Sequence, residues 1–299
     1  MIDIHTHTDQ SDGSTPPAEL VARAVEMGLE ALGVTDHDTL AGCELARPVA
    51  AEAGLEFVTG IELSTRFEPP LIARLPGLEK MGRLGSVHML GYFVDGPPKQ
   101  EFRDFLWSQQ ESRRKRNRDL IAKLNSLGVD ITLEEVQVLG RNLTGRPHFA
   151  RILLQKGYVS KIQEAFDKYL ADTAQAAVER EEPSLEEGVE RIRAAGGIAS
   201  LAHPVRLPFG GNVELMESLV AVLMEHGLDA IEVYHSEQSP EDSRRYAEIA
   251  AKFGLMITGG TDFHGDNKPG ILLGTGKNGN ISLTRSILDD MRARRVATA

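Results

Sequence analysis

Six of the chain's nine histidines stand in short motifs that follow apolar runs: His5-Thr-His7, Thr35-Asp-His37, Val87-His88, Ala202-His203 and Asp262-Phe-His264. Ile2 and Ile4 mark a strand, so His5 and His7, two apart, project from one face of it. Histidines kept only for packing would not gather at strand ends. With Asp12, Glu62 and Asp262 they make a mixed nitrogen and oxygen donor set that suits Mn²⁺, Fe²⁺ or Zn²⁺ and does not suit Ca²⁺. These side chains (His5, His7, Asp12, His37, Glu62, His88, His203, Asp262 and His264) are too many for one ion, and a carboxylate such as Glu62 can bridge two. Two or three divalent ions are expected, and such clusters fit phosphoester hydrolysis, because metals neutralise phosphate oxygens and generate hydroxide at neutral pH.

The elements that must hold these residues follow a strand-helix rhythm. Helix signals run from Ser14 to Gly28 and from Asp38 to about Gly54. Strands cover Ala31–Val34 and Leu55–Ile61, the latter ending on Glu62. Strands ending on ligand-type residues suggest parallel neighbours whose carboxyl ends share one face. Phe67 to Gly85, rich in Pro and Gly, reads as a long loop, and Ser86–Val94 alternates like a strand with His88, Leu90 and Tyr92 on one face. Residues 98–180 carry only helical patterns and read as an insertion between a first barrel part, 1–97, and a second, 181–299. Beyond it the strands Gly197–Ala202, Asp229–Tyr234 and Leu255–Thr258 alternate with helices, and a last helix lies around Leu283–Arg294. About seven strands suit an α/β barrel slightly short of the usual eight.

Composition narrows the function. The 299 residues have a formal net charge of −11, which argues against a sequence-independent grip on duplex nucleic acid. Ions in a pocket can still reverse the local field for a nucleotide. No apolar run reaches the length of a membrane span and the N-terminus has no leader pattern, so a soluble cytoplasmic protein is expected. Cys43, the single cysteine, reads as a small apolar core residue. Asp36 is expected to orient an imidazole and Asp38 to cap a helix; Trp107, Phe102 and Phe105 read as helix core, and His226 as surface.

Taken in order, His5-Thr-His7 with Ser11-Asp12-Gly13, Thr35-Asp-His37, Gly60-Ile-Glu62, Val87-His88, Ala202-His203-Pro204 and Asp262-Phe-His264 resemble the motifs of the polymerase and histidinol phosphatase (PHP) superfamily. The resemblance implies a distorted (β/α)₇ TIM-like barrel with a three-metal centre. It implies His5, His7, Glu62 and Asp262 at one metal, Glu62, His88 and His203 at a second, and Asp12, His37 and His264 at a third. Asp12 stands where some members carry histidine and favours manganese, with zinc or iron as alternatives. The insertion after the His88 strand is similar to that of the branch acting on nucleoside monophosphates, 3',5'-bisphosphates and short RNA from its 5' end. That likeness puts Arg113, Arg116 and Arg146 around a substrate phosphate, as suits the planar fork of arginine. His148 and His235 are further candidates for substrate contact, and His264, His37 and Asp262 are the catalytic candidates. The general acid stays open between a metal-bound water and a histidine. A monomer is expected. The rival readings are a histidinol-phosphate-type phosphatase of the same superfamily, a metal-dependent amidohydrolase, and a metal-stabilised binding protein without catalysis.

Overall fold

Seven strands hydrogen-bond in chain order into one sheet, and all neighbours are parallel except at the fourth strand. The computed structural model describes residues 1–81 and 84–298, with side chains of the last helix as far as Arg294. In its first half lie β1 (Ile2–Asp3), α1 (Pro17–Glu26), β2 (Ala31–Val34), α2 (Ala41–Glu52), β3 (Glu56–Thr65), α3 (Pro69–Arg74) and β4 (Val87–Phe93). A helical stretch follows: α4 (Gln100–Ser126), α5 (Leu133–Leu139), α6 (Arg146–Gln155) and α7 (Ile162–Ala165), which runs into a π turn over Phe166–Leu170. Then come α8 (Leu185–Ala194), β5 (Ile198–Leu201), α9 (Val213–Glu225), β6 (Ala230–His235), α10 (Pro240–Phe253) and β7 (Met256–Gly260). The chain ends in a hairpin of β8 (Ile271–Leu272) and β9 (Gly276–Lys277), and α11 (Ser286–Thr298).

The sheet nearly closes. Just past β7, the Asp262 amide donates to the His5 carbonyl and the His7 amide to the Phe263 carbonyl, both at 2.8 Å. Inside the sheet Ile2, Val58, Leu90, Tyr92, Ile198 and Met256 pack together, with Leu288 and Met291 of α11 in the same cluster. Outside it, Ile61, Leu63, Met89 and Leu201 pack against α8 and α9, and Leu32 and Val34 against α1 and α2. This is strand alternation at work: on β3, Val58 faces inward with Glu62 two pleats on, while Ile61 and Leu63 face helices. The helices of the insertion have an apolar cluster of their own, built on Leu120, Leu124, Phe149, Leu153 and Tyr169. At its start, α4 packs Phe102 and Leu106 onto the barrel side.

Several expectations need correction. Strand β3 does not stop at Glu62 but continues to Thr65, because β4 returns antiparallel beside it from Thr59↔Phe93 to Thr65↔Val87. The link between them lacks the long crossover helix that a parallel pair needs. Nor is the stretch from Phe67 wholly irregular. Pro69 and Pro70 open α3, and Leu71, Leu75 and Leu78, at helical spacing, are fully buried; Gly82 and Arg83 of the expected loop lie outside the described residues. The β1 ladder ends at Asp3, and His5 and His7 follow in an extended run beside Phe263. Trp107 is not helix core, for it is 62% exposed.

Candidate metal centre and active site

The rim of the barrel gathers the donor residues, because six of the strands bring their carboxyl ends to it and antiparallel β4 brings its amino end. His5 and His7 follow β1, His37 follows β2, His203 follows β5, and Asp262 and His264 follow β7. His88, the second residue of β4, reaches the same place from the opposite chain direction. The backbone bends sharply here: Asp38, His203 and Asp262 take φ of 52°, 25° and 56°. Such conformations cost an L residue about 1–3 kcal/mol and persist only where surrounding contacts hold them.

Glu62 is the centre of the arrangement. Its Oε2 lies 2.9 Å from His7 Nε2, 3.4 Å from His5 Nε2 and 3.5 Å from His37 Nδ1. Its Oε1 lies 2.7 Å from both His88 Nδ1 and His203 Nε2. One carboxylate therefore faces two groups of imidazoles, as a bridging ligand does. Asp262 points Oδ1 at His5 Nε2, His7 Nε2 and His264 Nδ1, at 3.5, 3.3 and 3.4 Å. Asp12 lies 3.2 Å from His264 Nε2 and 3.7 Å from His37 Nε2.

These residues fit divalent ions because their ligand atoms are left unmet by the protein. Among the described residues, both ring nitrogens of His7, His37 Nδ1, Asp12 Oδ1 and Asp262 Oδ1 are buried without a hydrogen-bond partner, a cost that native interiors avoid. Three groups among the described residues have ligand atoms mutually within 4.8 Å: His5, His7, Glu62 and Asp262; His7, Asp12, His37 and His264; and His37, Glu62 and His88. Burial opposes the charge on Glu62, but His37, His88 and His5 hold its carboxyl well below the usual range. Burial likewise opposes the charge on Asp12, and His264 and His37 outweigh it. The His7 imidazole, which burial pushes down, is carried up to about 9 by Asp262, Glu62 and Asp12, whereas burial brings His37 to about 3. Oxygen ligands thus stand ionised, as metal binding requires.

Behind the donors is a layer that the sequence did not disclose. Asp262 Oδ2 receives Arg206 at 2.7 Å and Lys268 at 2.6 Å, with His235 Nε2 at 3.2 Å. Glu232 on β6 contacts His5 Nδ1 at 2.7 Å. A glutamate between Ala230 and Tyr234 in an otherwise apolar strand was the available signal for Glu232; Arg206 and Lys268 had none beyond lying after motif histidines. Asp36 does not touch an imidazole. It accepts from the Thr8 amide and hydroxyl and from Ser11, fixing the loop that carries Asp12. Asp38 is no helix cap either, but accepts from the Ser64 amide at 2.7 Å and pairs with Arg113 and Arg180.

A cavity of about 660 Å³ opens beside the donors, lined by Asp12, His37 and His88 and by Arg66, Arg113, Arg116, Arg146 and Arg180. The insertion and the barrel both wall it. Arg113, Arg116 and Arg146 therefore stand in one cavity with donor residues, and Arg180, which the sequence reading missed, joins them. His148 and His235 do not line it. His148 is buried, its Nδ1 accepting from the Gly145 amide at the start of α6, and His235 is buried behind Asp262.

A profile of the PHP domain matches residues 3–181. The chain belongs to the PHP domain family. A 5'-3' exoribonuclease of Haemophilus influenzae is 34% identical over 263 residues, covering 88% of this chain and 89% of its own. A 3',5'-nucleoside bisphosphate phosphatase of Chromobacterium violaceum is 32% identical, with 90% and 89% covered. Among solved structures, a Bifidobacterium adolescentis protein described as a metal-dependent phosphoesterase superposes with a TM-score of 0.78 at 28% identity, covering 98% and 96%. This PHP protein is a hydrolase of phosphoric esters, and its clustered His, Asp and Glu side chains suit divalent metal ions. Its barrel-like sheet is the fold that the six motifs implied.

Proposed function

We propose that this PHP-family phosphoesterase acts on small nucleotides: nucleoside monophosphates, nucleoside 3',5'-bisphosphates and the 5' end of short RNA. One observation carries the reading. The cavity beside the donor cluster is lined by five arginines and has a volume suited to a nucleotide. The names of the relatives support the same substrate class.

In this reading His5, His7, Glu62 and Asp262 hold one ion, Glu62, His88 and His203 a second, and Asp12, His37 and His264 a third. Manganese suits a set in which three carboxylates accompany six imidazoles, with zinc or iron as alternatives. Such ions, when bound, neutralise phosphate oxygens and acidify water. Among the described residues, the buried Nε–H groups of Arg116 and Arg113 have no hydrogen-bond partner, which suits them to the nonbridging oxygens of a phosphate. Arg146, tied to Asp172 at 2.7 Å, lines the same cavity. Phe67, Ile72, Leu84, Phe166 and Val178 give the cavity an apolar side for a base. Of the catalytic candidates, His37 lines the cavity while His264 and Asp262 pack behind, His264 Nδ1 lying 2.8 Å from the Asp262 carbonyl. The helical stretch 98–180 serves as the substrate cap between the two barrel parts.

The test is turnover by purified protein with Mn²⁺ of AMP, adenosine 3',5'-bisphosphate, a short 5'-phosphorylated RNA, histidinol phosphate and a hydantoin. Release of phosphate or mononucleotides from the nucleotide substrates is expected. Turnover of histidinol phosphate alone would move the protein to another branch, hydantoin opening would make it an amidohydrolase, and silence with every metal would favour a binding protein.

A further inference from the structure

We propose that Glu232, outside the donor set, is a positioning residue that fixes His5 and His203 together for the metals by accepting a hydrogen bond at each carboxylate oxygen. The inference rests on reading the cluster as a metal centre. Glu232 is fully buried on β6, where a carboxylate is expensive unless both oxygens are used. Both are used: Oε1 lies 2.7 Å from His5 Nδ1, and Oε2 accepts the His203 backbone N–H at 2.6 Å.

Each contact sets one donor. In the neutral imidazole that a metal takes, giving Nδ1–H to Glu232 leaves the lone pair on Nε2, the nitrogen that faces Glu62 and Asp262 at 3.4 and 3.5 Å. Fixing a ligand's tautomer from behind in this way is how carboxylates prepare imidazoles for metals. The other contact anchors His203 at φ 25°, a strained backbone from which Nε2 reaches Glu62 Oε1 at 2.7 Å. His5 meets one oxygen of Glu62 and His203 the other, so a single side chain on a rigid strand aligns ligands on both sides of the bridge.

Both neighbours of Glu232 are donors, and this makes the inference testable with an isostere. In Glu232→Gln the amide oxygen can accept from only one of them. If the NH₂ meets His5, the imidazole must accept at Nδ1 and carry its proton on Nε2, losing the lone pair that would bind metal. If it meets the His203 amide, two donors collide and the strained backbone loses its anchor. Metal-stripped wild type and Glu232→Gln are titrated calorimetrically with Mn²⁺, and metal-free unfolding is followed by circular dichroism. At least one Mn²⁺ is expected to bind about 10–100-fold more weakly in the variant, while the metal-free midpoint stays near that of wild type. Glu232→Asp keeps two acceptors and is expected to lose less affinity than Gln. Equal Mn²⁺ affinity in Glu232→Gln, or a fall in metal-free stability without weaker metal binding, overturns the inference. Should the Gln variant not fold, unchanged affinity in Glu232→Asp overturns it. Failure of wild type itself to take up Mn²⁺ sinks the metal reading instead.

Discussion

Arg116 is buried on α4 with Arg113, Arg146 and Arg180 around it, and among the described residues it has no ion pair. Burial and then those three arginines hold its guanidinium well below the usual arginine range. A buried charge without a partner is tolerated where a ligand completes it. Replacing Arg116 by Met is therefore expected to raise metal-free stability by roughly 1 kcal/mol while lowering kcat/KM for AMP at least tenfold. Thermal unfolding and steady-state kinetics check the pair of effects, and a variant that loses stability but keeps kcat/KM would remove Arg116 from the substrate wall. Cys43 offers a contrasting case. Its Sγ donates to the Val34 carbonyl at 3.1 Å, and burial pushes the thiol up to about 12. Because only the thiolate alkylates readily, iodoacetamide at pH 8 should leave the native chain unmodified by mass and label it in denaturant. Fast labelling of native protein would contradict the burial. The apolar role read for Cys43 from its context agrees with its place in the core beside α1 and β2.

At the scale of elements, two joints decide the site. The first is the close approach of β7 to the run after β1: a Cβ on Gly260 would stand 2.2 Å from His5 Cβ and 2.5 Å from its backbone nitrogen. Gly260→Ala must push these segments apart, so a loss of about 1–3 kcal/mol and weaker Mn²⁺ binding are expected together, by unfolding and by calorimetry. The second is Asp38, which joins the β2–α2 turn to α4 through Arg113 and to Arg180 ahead of α8. An amide there presents NH₂ to guanidinium groups, so Asp38→Asn should release both arginines and raise KM for nucleotide more than it lowers kcat. A fall in kcat with KM unchanged would mean that this joint does not align the substrate wall. The sequence pattern showed that these elements exist, but not how they meet. Pairing direction was hidden at β4, since alternation looks the same in either direction. The roles of Asp36 and Asp38 were hidden because their partners, at Thr8, Ser64, Arg113 and Arg180, are distant in sequence.

For the whole molecule, the unmet donors imply that metal binding contributes to stability. Each ion bound only by the folded chain adds about 2.7 kcal/mol when its concentration is a hundred times its dissociation constant. Scanning calorimetry should show Tm rising with Mn²⁺ and falling with chelator, and a Tm indifferent to both would remove the ions from the account. The acidic chain with an arginine-walled cavity makes the same point about charge, since net charge describes the surface and not the site. Among the described residues no helix is long and apolar enough to cross a membrane.

By itself the sequence determined which His, Asp and Glu motifs follow the strands and the broad alternation of strands and helices that carries them, because donor types and apolar periodicity are local properties written residue by residue. Tertiary structure alone decided that Glu62 shows one oxygen to each group of imidazoles, that Arg206, Lys268, His235 and Glu232 stand behind the donors, and that Arg180 enters the cavity. Those facts depend on distances between segments up to 227 residues apart, and only closure of the sheet makes such distances short.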